Sequence, residues 1–247
     1  VPAPELWLLA DSRLPTGGHA HSGGIESAVR RGLVRAPDDV AAWLSGRVPT
    51  AGLVTAAAAA AACALLDSRG DDPSALVARE FPSRGDGTTT GPDWEPWDAA
   101  ISARTPVAAL REVSRQQGRA MLRTVRAAWP HAAVTGLGTR PHQALVLGVA
   151  TAAAGGTPTD AAGLAVHHLV GQVCSAAVRL LGLDPLALAG VHARALTAHG
   201  PVVGKAADAG TTAAGAAEAD LLPTATTPLP EVLAVLHARS EGALFAS

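Results

Sequence analysis

Gly52-Leu53-Val54-Thr55-Ala56-Ala57-Ala58-Ala59-Ala60-Ala61-Ala62-Cys63-Ala64-Leu65-Leu66 is the longest apolar stretch of the chain. Alanine is the strongest helix former, whereas strands favour β-branched and aromatic residues. The stretch therefore reads as a helix, and its small side chains let neighbouring helices come close. It falls short of the roughly 18–20 residues needed to cross a bilayer, and alanine is only weakly lipophilic. A core helix of an all-α protein fits it better than a membrane anchor.

The remainder of the 247 residues agrees: 48% are hydrophobic, Tyr is absent and there are two Phe. Helix starts recur, at Asp38 or Asp39 after Pro37, at Thr105-Pro106, at Asp160 and at Asp184-Pro185, each a capping side chain or a proline in the first turn. The Thr105-Pro106 start predicts a helix running to Trp129 and stopping before Pro130. Residues 145–149 have the composition of a short strand, but the alanine-rich run after them favours helix. We expect one helical domain over residues 1–247, with about eight to ten helices and no internal repeat. Residues 68–96 (with GDDPS and SRGDGTTTGPD) predict a flexible surface connection with one short helix near 75–81. In residues 205–230 the first half reads as helical and PTATTPLP as non-helical.

Charge narrows the function. The formal net charge is −2 and Lys205 is the single lysine, so no polybasic tail marks a nucleic-acid or membrane-surface protein. Cys63 and Cys174 lie far apart in apolar surroundings and read as buried thiols of a reducing compartment. The apolar run Leu6 to Ala10 is too short for a signal-peptide core of about 7–15 residues. A cytoplasmic protein is expected.

The densest cluster of unusual residues is Asp11-Ser12-Arg13-Leu14-Pro15-Thr16-Gly17-Gly18-His19-Ala20-His21-Ser22-Gly23-Gly24-Ile25-Glu26. Gly18 and Gly23 have phosphate-loop spacing, but Gly24 stands where that loop requires lysine. His19 and His21 could chelate a metal, yet two ligands from one loop do not close a site. Ser22 beside His21 has no nucleophile elbow around it. The cluster reads instead as a shaped turn, with Ser22 capping the next helix and Glu26 near its positive end.

Further along, Arg111, Arg115, Arg119 and Arg123 recur every four residues and form one stripe winding round a helix. Leu110, Val113, Met121 and Val125 form its apolar side, and Gly118 lets another element approach. The stripe is either a solvated face or a surface for an acidic partner. His167 and His168 diverge by about 100° on a helix, so one is expected to pack and the other to be exposed. Arg179, among apolar neighbours, must snorkel or find an acidic partner.

The run from Asp11 to Glu26 resembles the N-terminal signature of the urease accessory protein UreF family. Ser114-Arg115-Gln116-Gln117-Gly118-Arg119 is similar to that family's Ser-x-Gln-x-Gly-Arg helix, and residues 142–148 to its His, short hydrophobic run and Gly. Ser175-Ala176-Ala177-Val178-Arg179-Leu180 and the ending Leu244-Phe245-Ala246-Ser247 resemble further family stretches in order. The chain departs from the pattern at His19, where an aromatic is usual, at Ala243, where an arginine is common, and at Gly182-Leu183-Asp184-Pro185.

The resemblance implies a non-enzymatic, all-helical homodimer with no cofactor. It implies binding to UreD (UreH in some bacteria), partly through a C-terminal tail near residues 223–247. The complex would recruit the GTPase UreG to the urease apoprotein for nickel insertion. Candidate partner-binding residues are Pro15, Gly17, Gly18, His19, His21, Ser22, Glu26, Arg115, Arg119, Arg179, Leu244 and Phe245. Neither catalytic residues nor resident metal ligands are assigned. The alternatives are a regulator of GTP hydrolysis by UreG and a nickel-binding chaperone using His19 and His21.

Overall fold

A computed structural model describes residues 4–15, 21–67, 92–129, 134 and 136–239. In chain order the α-helices are α1 (Leu6–Ala10), α2 (Ile25–Arg30), α3 (Pro37–Arg47), α4 (Leu53–Asp67), α5 (Glu95–Ala103), α6 (Ala108–Ala128), α7 (Gln143–Ala153), α8 (Pro158–Leu181), α9 (Pro185–Ala198), α10 (Gly200–Ala216) and α11 (Pro228–Ala238). No β-strand occurs among the described residues, and the fold is all-α. Residues 145–149 lie inside α7.

The alanine run is the axis of the molecule. Ala56 to Ala62 and Cys63 are all completely buried in α4, which packs most extensively against α10, then against α7 and α8. Close approach needs missing side chains on both partners. A Cβ at Gly148 of α7 would lie 2.2 Å from the Ala59 carbonyl oxygen, and one at Gly210 of α10 would lie 2.4 Å from that of Ala57. Backbone thus meets backbone on two sides of α4. The core built around it draws on elements from Leu6 to Leu233.

Helix α3 runs into α4 through a π-helical turn, Val48–Gly52, that contains Pro49. Proline supplies no N–H and crowds the preceding turn, and a π-turn accommodates it. The continuous helix, Pro37–Leu66, is long and apolar enough by length and composition to cross a membrane, as is Pro158–Leu181. Its most apolar window is 72% buried against other helices, and that of Pro158–Leu181 is 50% buried.

Most helix starts meet expectation, and the one at Thr105 does not. Asp39 rather than Asp38 closes the start of α3, its Oδ2 accepting from the backbone N–H of Arg35 and Ala36. Thr157 caps α8, while Asp160 completes the reciprocal capping box. Asp184 caps α9 by accepting from the Leu186 N–H, as expected. Thr105 caps nothing. Its hydroxyl donates back to the Ile101 carbonyl, and α6 begins only at Ala108. In PTATTPLP, Pro228-Leu229-Pro230 forms the first turn of α11, where prolines lose no needed N–H bond. The short helix expected near 75–81 lies outside the described residues.

Candidate functional site

The glycine-rich segment is held at both ends. Asp11 accepts from the Arg13 N–H at 2.9 Å and pairs with its guanidinium at 2.8 Å, which pulls the Asp11 carboxyl down to about 2. The Pro15 carbonyl accepts from the Thr124 hydroxyl of α6 at 2.9 Å. Gly17, Gly18 and His19 lie outside the described residues.

Beyond them the chain turns inward. His21 and Ser22 are buried, and the Ser22 hydroxyl oxygen accepts from the N–H groups of Gly24 and Glu26 at 3.2 and 3.5 Å. Gly23 and Gly24 have φ of 61° and 84°, left-handed conformations that glycine adopts without steric cost. A Cβ at Gly23 would also strike Val173 of α8 at 2.7 Å.

Glu26 is completely buried. Its carboxylate pairs with Arg30 one turn on, at 3.1 Å, and lies 3.8 Å from Nε2 of His237 on α11. Glu26 is among the expected partner-binding residues, and its carboxylate is turned to the interior. Taking a carboxylate out of water requires such partners. In this chain Glu26 brings α2 against α11.

A second polar centre lies where α5, α6 and the start of α7 meet. The Arg115 guanidinium donates to both carboxylate oxygens of Asp98, at 2.6 and 3.2 Å, and to the Arg140 carbonyl and the Ser102 hydroxyl. His142 is fully buried between two hydroxyls, Ser102 on Nε2 and Ser114 on Nδ1, each at 2.9 Å. Burial pushes its pKa down to about 4, aided by the positive charges of Arg115 and Arg111 and opposed by Asp98. Gly118 admits this junction, since a Cβ there would lie 2.1 Å from the Pro141 carbonyl.

The arginine stripe is therefore largely committed within the chain. Arg111 donates to the carbonyls of Thr105 and Pro106 at 2.7 and 2.8 Å. Glu112 bridges Arg140 at 2.6 Å and Arg119 at 3.7 Å. Arg119 remains partly exposed. Arg179 snorkels, its exposed side chain donating to the Ser175 carbonyl. The sequence reading did not single out His142 as a site residue. Its position just before α7 is the signal, because a histidine there can meet hydroxyls from two other helices.

His167 and His168 behave differently from expectation: both pack. Their Nε2 atoms bond the carbonyls of Ala10 and Leu9 at 3.2 and 2.8 Å, covering acceptors left open at the end of α1. His167 also stacks against His192 of α9 with ring centroids 5.1 Å apart. Together with Cys174 they line a cavity of about 420 Å³. Burial drives the His168 pKa down to about 4 and the Cys174 thiol up to about 11. A neutral His168 and a protonated Cys174 thiol thus share this wall, without the thiolate that nucleophilic chemistry requires. Among the described residues no group of three His, Cys, Asp or Glu side chains is arranged to hold a metal ion.

Leu244 and Phe245 lie outside the described residues. The helix leading to them exposes Leu229, Val232 and Leu236, spaced so that they share one face.

A family model described as UreF matches residues 34–196. A urease accessory protein UreF of Mycolicibacterium vanbaalenii is 41% identical over 244 residues, covering 98% of this chain and 97% of that protein. One from Mycobacterium marinum is 39% identical over 242 residues, covering 98% and 97%. One from Mycobacterium tuberculosis is 40% identical over 180 residues, covering 73% and 74%.

Proposed function

Given that the chain belongs to the UreF family of urease accessory proteins, we propose that it is a non-catalytic assembly factor for urease. It acts with UreD (or UreH) to recruit the GTPase UreG to the urease apoprotein, so that nickel can be inserted. The observation that carries this reading is end-to-end similarity: 41% identity over 98% of the chain to a protein named for that accessory role.

Two features support docking as the mode of action. The exposed Leu229, Val232 and Leu236 stripe on α11 leads straight into the segment that holds Leu244 and Phe245. An amphipathic helix with exposed apolar positions at this spacing suits a groove on another protein. The inward Glu26 carboxylate couples α11 to α2 and so to the glycine-rich segment, which gives the two expected docking regions a common support. Cytoplasmic location and self-association belong to the same proposal.

The test is co-purification with UreD and UreG. Removing residues 244–247 should leave far-UV circular dichroism unchanged and abolish capture by UreD. Capture at undiminished strength by the shortened chain would remove the tail from the account.

A further inference from the structure

Arg47 stands at the junction between α3 and the π-turn, partly buried, on the wall of a cleft of about 150 Å³. Its Nε is fully enclosed, and among the described residues its side chain makes neither a hydrogen bond nor an ion pair. One turn earlier on α3, the indole Nε1 of Trp43 is also enclosed with no acceptor. The two side chains converge over Gly24: a Cβ there would lie 3.8 Å from the Arg47 Nη2 and 3.8 Å from the Trp43 ring.

The rest of the cleft does not neutralise this. Its charged lining groups are Arg47, Arg104 and Glu231. Arg104 is spent on the carbonyls of Ala100, Asp220, Leu222 and Pro223. Glu231 raises the Arg47 pKa through space but forms no ion pair with it, and burial leaves Arg47 at about 10, still protonated at neutral pH. His168 is held neutral by burial. Gln117, Gln143 and Gln172 add amides to the wall. Thr227, hydrogen-bonded to Thr50 of the π-turn, adds a hydroxyl to the wall.

A partly buried guanidinium on the wall of a cleft, with no protein acceptor, is the complement of a planar oxyanion. Guanidinium binds carboxylate in a two-pronged geometry that ammonium cannot copy. We propose that the cleft beside Arg47 is a binding site for a carboxylate-type oxyanion. The ligand is either a free small anion or the acidic side chain of a docked protein. The proposal is independent of the urease role, because it rests on the cleft alone.

Thermal melting of the full chain at constant ionic strength tests it, with sodium acetate replacing sodium chloride at pH 7.5. A ligand that binds the native state raises the melting temperature in a saturable way. Acetate should do so and chloride should not. N-acetylaspartate amide in a second arm separates the sources: acetate alone assigns a free anion, and both together assign a cleft open to a presented side chain. Arg47→Met should weaken acetate binding at least about tenfold. It removes a buried charge without orphaning a partner, so folding should survive. Glu231→Gln should strengthen binding several-fold, and it carries the test should Arg47→Met fail to fold. Acetate indistinguishable from chloride, undiminished binding by Arg47→Met, or unchanged affinity in Glu231→Gln would each overturn the proposal.

Discussion

Replacing Gly148 with alanine should destabilise the protein, although alanine is the better helix former. The added Cβ would lie 2.2 Å from the Ala59 carbonyl oxygen, 2.6 Å from the Ala62 Cβ and 3.0 Å from the Cys63 N–H nitrogen. Ordinary contact begins near 3.4 Å, so α7 must retreat from α4 by about 1 Å. Two of the three obstacles are backbone atoms of a buried helix and cannot swing aside. Overpacking of this kind costs about 3 kcal/mol at the upper end of its usual range, against a gain of about 1 kcal/mol in helix propensity. The net loss is about 2 kcal/mol, or roughly 4–8 °C in melting temperature for a chain of this size. Gly204 of α10 is the control, because a Cβ there meets nothing within 4 Å. Gly204→Ala should raise the melting temperature by about 2–4 °C, by propensity alone. Scanning calorimetry on both variants decides the matter. A Gly148→Ala protein as stable as Gly204→Ala would refute the claim that α4 is clasped backbone to backbone.

Other consequences follow from the polar interior. Glu26→Ala leaves Arg30 and His237 without their shared carboxylate and should cost about 2–4 kcal/mol in urea unfolding; a loss below 0.5 kcal/mol (order of magnitude) would show that the carboxylate is not clamped. His142 and His168 titrate near 4 in the fold, against an ordinary 6.5. The unfolded chain therefore binds more protons between those values, and stability should fall as pH drops from about 6.5 towards 4. His142→Gln should flatten part of that fall, measured by urea unfolding at pH 7.5, 6 and 5. Arg115→Lys, which cannot reproduce the two-pronged contact with Asp98, should lose about 1–2 kcal/mol with an unchanged denaturant slope.

The alanine run was legible because its meaning is local: few side chains propagate a helix so well or take so little space. Gly118 was legible for the same reason, although its neighbour is the turn before α7 rather than a helix. The Thr105-Pro106 start misled because a threonine before proline satisfies the local rule for a cap. Here Arg111 reaches back to the carbonyls at 105 and 106, and the Thr105 hydroxyl serves α5 instead. The turn at Pro228 was hidden because two prolines close together suggest an end as readily as a beginning. Glu26 shows the limit most clearly. Its pairing with Arg30 is visible in the four-residue spacing, but His237 lies more than two hundred positions away, and nothing local announces that the carboxylate faces inward. Arg47 and Trp43 share one helix face by spacing, yet only the fold shows that both side chains reach Gly24 and that the Arg47 Nε and the Trp43 Nε1 lack a protein acceptor.

The central claim is that this chain is needed to place nickel in urease. Urease apoprotein matured with UreD, UreG, nickel and bicarbonate, with and without this chain, tests it through the metal content of the purified enzyme. The account predicts that nickel and urea hydrolysis both rise when the chain is present and stay near background when it is omitted. Equal nickel loading in both preparations would contradict it.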